Sequence, residues 1–95
     1  MIVSKELLNI MGIYDYWTRE NTSDSIIFKK RFLLDPTSVH KVKEITIIVS
    51  GEPKNWHVRT IMNFELLNSY SKDFTNVKNA MRYATRMMIR YDGYR

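Results

Sequence analysis

Four cations recur at every fourth residue in NVKNAMRYATRMMIRY (76–91): Lys78, Arg82, Arg86 and Arg90, with no acidic residue among them. On an α-helix, where successive residues turn by about 100° and rise by about 1.5 Å, such a row forms one ridge about 18 Å long. Like charges four apart destabilise a helix by about 0.2–0.5 kcal/mol per pair, so alternating signs would serve stability better. A ridge of donors without internal acids suits a polyanion, whose phosphates it neutralises with release of counterions. Tyr83, beside Arg82 and Arg86, adds an aromatic surface on which a base could stack. The same row also reads as an ordinary solvated face. Arg and Lys are good helix formers, and Arg86 and Arg90 near the C-terminal end meet the helix dipole favourably, at about 0.3–1 kcal/mol each.

A second basic group lies earlier in the chain: Lys29 and Arg31 in KKR (29–31), with Arg59 on the outward face of a strand. With His57 and an aromatic such as Tyr16 or Trp17, these residues would make an open sheet face suited to RNA or single-stranded DNA. A solvated face is one alternative. A face covered by a second copy of the chain through Ile27, Leu33 and Ile61 is another, because those apolar residues need a cover.

Other chemistry finds little support. There is no cysteine, and the two histidines, His40 and His57, have no close ligand spacing, so no metal is expected. The three glycines are isolated and form no phosphate loop, and no cofactor is expected. A ribonuclease is the most credible enzyme, with His57 or Glu65 as base and Arg59 or Arg86 on the phosphate. His57 and Glu65 sit eight residues apart on one expected strand face, however, or about 26 Å, too far for one active centre. The chain is expected to be non-enzymatic.

The elements that would position these residues follow from periodicity. Ser4 can cap a short helix that ends at Gly12, with Val3 stapling onto Leu8. Strands are expected over 14–20, 25–34, 42–49 and 56–66. Lys30 breaks the apolar face of the second and suggests a bulge or an edge. In the last, Trp56, Val58, Met62, Phe64 and Leu66 share the buried face, while His57, Arg59, Asn63 and Glu65 share the other. Phe74, Val77, Met81, Ala84, Met88 and Tyr91 step by three and four residues and make the stripe of a C-terminal helix. The fold class is therefore α+β, in α-β-β-β(-β)-α order. A three- or four-stranded antiparallel sheet carries a short N-terminal and a longer C-terminal helix on one face, in a single domain over 1–95.

Fifteen Lys+Arg against ten Asp+Glu give a formal charge of +5, which favours polyanionic partners. The leading expectation is a small basic domain binding nucleic acid or a nucleoprotein. The alternative is a viral, phage-type inhibitor or adaptor whose cations meet an acidic protein surface, with Tyr83, Met87 and Ile89 as anchors. No signal peptide or membrane span is expected, so the location is read as cytoplasmic, that of the host cell if viral.

Overall fold

A computed structural model describes residues 4–14, 16–33, 37 and 42–92. Helix α1 (Lys5–Ile10) starts at Ser4, whose hydroxyl accepts the Leu7 amide at 3.2 Å. It closes on Gly12 at φ 73°, with the Ile13 amide returning to the Leu8 carbonyl at 2.9 Å, the six-to-one bond of a Schellman end. Val3 of the expected staple lies outside the described residues. No residue of α1 is buried, and Leu7 and Ile10 are exposed.

An antiparallel meander follows: β1 (Thr18–Asn21), β2 (Ser25–Leu33), β3 (Val42–Glu52) and β4 (Asn55–Met62). Two short pieces, β5 (Glu65–Leu66) and β6 (Lys72–Phe74), both pair with β4, one at each end of its outer edge. A 3-10 turn, Asn68–Tyr70, separates them. The sheet thus has four long strands in sequence order plus this interrupted edge. The gap in the edge is closed by side chains. The fully buried Thr60 donates its hydroxyl to the Tyr70 carbonyl at 2.7 Å, while the Ser71 hydroxyl donates to the Leu67 carbonyl at 2.8 Å.

The strand expected over 56–66 does not run through. After Met62 the chain reverses at Asn63 (φ 49°) and Phe64 (φ 69°), a two-residue turn with both residues in the left-handed region. Asn63 fixes it by donating its amide to the Glu44 carbonyl and accepting the Glu44 amide on Oδ1, each at 2.9 Å. Phe64 and Leu66 are consequently at the surface, 92% and 47% exposed, not in the core. Lys30 causes no bulge either: β2 and β3 stay in register from Ser25↔Ser50 to Leu33↔Val42. The Lys30 side chain is buried at 5% exposure in line with Phe28 and Phe32.

Alternation gives the sheet two unlike faces. Phe28, Phe32, Ile45, Ile47, Val49 and Val58 point to one side and are covered by the long helix α2 (Val77–Asp92). Its buried residues are Ala80, Tyr83, Ala84, Met87 and Tyr91. The two alanines let the helix lie close to the sheet, and the larger side chains fill the space beside them. The burying stripe is therefore turned by about 60° from the expected one. Val77 is exposed, Met81 and Met88 are half-buried at the flank, and Phe74 belongs to β6. The other sheet face, with Ile27, Lys29, Arg31, Ile48, His57, Arg59 and Ile61, has no helix of this core upon it.

Candidate nucleic-acid interface

The turned stripe decides what α2 shows outward. Lys78, Arg82 and Arg86 are exposed, and among the described residues none of them has a carboxylate within ion-pair distance. Ile89, 68% exposed, shares their side of the helix. A shallow groove lies along it, with the Met81 and Thr85 side chains between the cations.

Arg90 differs from the other three. Its Nη2 donates to the Tyr70 hydroxyl at 2.7 Å, and its guanidinium carbon lies 4.6 Å from that ring's centre. It anchors the end of α2 to the edge turn. Tyr83 does not supply the expected stacking surface. It is buried at 9% exposure, with its ring centre 5.5 Å from that of Phe74, and burial pushes its hydroxyl pKa up. Met87 is equally buried, so neither residue can anchor a partner.

Lys72 was missed by sequence reasoning. It lies on β6, and its ammonium sits over the Tyr83 ring at 5.4 Å. A notch of about 210 Å³ joins it to Asn79, Arg82 and Arg86, with Phe74 and Tyr83 as its wall. Three cations and an amide line this notch without a carboxylate. The linear sequence hides the grouping because Lys72 precedes the helix and reaches it only through the β6–β4 pairing.

The sheet patch has a different electrostatic character. Glu44 lies 3.8 Å from Lys29 Nζ and 3.4 Å from Arg31 Nε. Asp73 takes Arg59 Nη2 at 2.9 Å and His57 Nδ1 at 2.8 Å through the same oxygen, Oδ1. The His57 contact first, and the Arg59 guanidinium second, hold the Asp73 carboxyl below the usual carboxylate range. Lys29, Arg31 and Arg59 do share the open face, as expected, but each is already matched by an acid. Tyr16 stacks on Tyr14 at 5.0 Å beside Lys29 and Arg31, whereas Trp17 packs against the core cluster.

The candidate ribonuclease pair of His57 and Glu65 does not come together in the described residues. Ser50 stands opposite His57 across β3 and β4, yet it shares no hydrogen bond with the ring. Glu65 pairs with Met62 beyond the Asn63–Phe64 turn and so leaves the face that carries His57 and Arg59. Among the described residues no group of His, Asp and Glu could hold a metal ion. No helix among them is long and apolar enough to cross a membrane. Compared with known proteins, the chain matches no family model, no curated protein and no solved structure.

Proposed function

We propose that this chain is a non-enzymatic binding domain for nucleic acid, alone or within a nucleoprotein, and that α2 is the binding element. The observation that carries the reading is the absence of any carboxylate partner for Lys78, Arg82 and Arg86 among the described residues. Three uncompensated cations along one exposed side of a helix supply the sequence-independent attraction that phosphate contacts provide. Lys72 and Asn79 widen the footprint toward the sheet edge. With Tyr83 buried, the contact is to backbone phosphates, not to stacked bases.

Salt dependence tests this. With three or four phosphate contacts, log affinity for a labelled oligonucleotide should fall against log salt with a slope of about 2–4. Base sequence should matter little. Unchanged probe mobility with both DNA and RNA at low salt would remove the reading.

A second reading has one observation in its favour. Ile89 exposes apolar surface among the cations, as a contact to an acidic protein groove would need. This is the phage-type inhibitor or adaptor, now without Tyr83 and Met87 as anchors. Nuclease treatment separates the two: a protein complex unaffected by it favours the acidic groove.

A further inference from the structure

The open sheet face combines half-buried apolar residues with charges that it balances itself. Ile27, Ile48 and Ile61 lie on it, and no helix of the core covers them. Three cations, Lys29, Arg31 and Arg59, face four carboxylates, Glu20, Glu44, Glu52 and Asp73. A polyanion would gain nothing from such a surface. An apolar strip framed by charges of both signs fits a surface of its own kind.

The strand registers specify how two such surfaces would meet. Glu20↔Ile27, Ile27↔Ile48 and Ile48↔Arg59 are successive cross-strand partners, so Glu20, Ile27, Ile48 and Arg59 form one row across β1 to β4. A two-fold axis parallel to the strands, between β2 and β3, turns this row end for end. Glu20 then lies over Arg59 of the partner subunit, and Ile27 over Ile48 of the partner subunit. The next row, Thr18, Lys29, Thr46 and Ile61, places Lys29 over the partner's Thr46 and Thr18 over the partner's Ile61. No like charges meet in either row. Facing sheets pack about 10 Å apart, which side chains of this size fill, with strands aligned to within about 30°. Glu20 is exposed and has no ion-pair partner among the described residues, so it is free to take that place. The segment after α1 bounds the contact on the side of the second row: Tyr14 and Tyr16 stand beside Thr18, Lys29 and Arg31, and Arg31 Nη1 donates to the Met11 carbonyl at 2.8 Å.

We propose that two copies of this chain associate face to face through this sheet surface, about a two-fold axis along the strands. The inference is independent of the role given to α2, which lies on the opposite side of the sheet.

Sedimentation and light scattering of the full chain across a concentration series test it. At about 100 µM, ten times a Kd of about 10 µM, the protein should be mostly dimer. Ile48→Lys should abolish the dimer. Glu20→Arg, on an exposed strand that tolerates change, should weaken it at least about tenfold by setting two cations against each other. A circular-dichroism melt of each variant confirms that it is folded, and Glu20→Arg carries the test if Ile48→Lys is not. A monomer at about 100 µM overturns the proposal, as does a dimer indifferent to Glu20→Arg. A monomer whose Ile27, Ile48 and Ile61 methyl signals move on adding an oligonucleotide overturns it too, by making the face a ligand surface.

Discussion

The helix ridge and the open sheet face look alike as lists of residues and differ as physical objects. Each gathers several cations. Among the described residues no acid accompanies Lys78, Arg82 and Arg86 on α2, whereas on the sheet Glu44 and Asp73 each hold two basic groups. The difference lies in pairing geometry. Glu44 and Asp73 come to Lys29, Arg31, His57 and Arg59 from neighbouring strands, and strand pairing is long-range in sequence. A helix meets its own charges only at three and four residues, and there this one offers its cations no acid. Local charge rows on helices therefore survive folding as they are written. Cation clusters on strands must be read with their cross-strand neighbours.

The sharpest way to break this contrast is to neutralise both sites in parallel. Arg82→Gln with Arg86→Gln should lower affinity for an oligonucleotide at least about tenfold and reduce the salt slope by about 2. Lys29→Gln with Arg59→Gln should leave both within about twofold. Equal losses in a fluorescence titration would erase the distinction between the two regions.

A smaller effect concerns the edge that supplies both Lys72 and Asp73. Thr60→Val leaves the Tyr70 carbonyl without its buried donor and should cost about 1–3 kcal/mol in chemical denaturation. The variant should also bind less well, because the notch loses its fixed lysine.

Stability should respond with opposite signs at the two sites. Arg82→Gln alone relieves two like-charge pairs, with Lys78 and with Arg86, and should stabilise the fold by about 0.4–1 kcal/mol while weakening binding. Asp73→Asn should destabilise it, since Arg59 and His57 lose their shared acceptor. A denaturation midpoint that falls for Arg82→Gln would show that the ridge is not under strain.

The least effect is expected from acid. The Asp73 carboxyl is held down in the folded state, so its contribution is fully present above the usual carboxylate range and is lost as pH falls through its lowered folded value. A carboxyl NMR titration should place Asp73 below the usual aspartate range. Arg59→Gln should move it back up, leaving the helix ridge unaffected.

How much of this was legible in the sequence varies with the range of the interaction. The α1 cap at Ser4 and its stop at Gly12 were readable because both are local chemistry. The order of helices and long strands was readable because burial imposes its period. The break at Asn63–Phe64 was not, since phenylalanine is an unlikely residue for the left-handed region and the alternation 56–66 continues through it on paper. The phase of α2 was off because Val77 and Met88 are as apolar as Tyr83 and Met87. The pairing of β6 with β4, which brings Phe74 against Tyr83, favours the observed phase. Lys72 and the acids that neutralise the sheet were hidden for the same reason.

The clasp between Arg90 and Tyr70 has a mechanical consequence. Tyr83 packs against Phe74 near the middle of α2 and the Arg90 guanidinium holds the Tyr70 phenol near its C-terminal end, so the helix is tied to the sheet edge at two points. In the proposed binding role, the backbone carrying Lys78, Arg82 and Arg86 is placed before a partner docks, while their exposed side chains still lose rotamer freedom on contact.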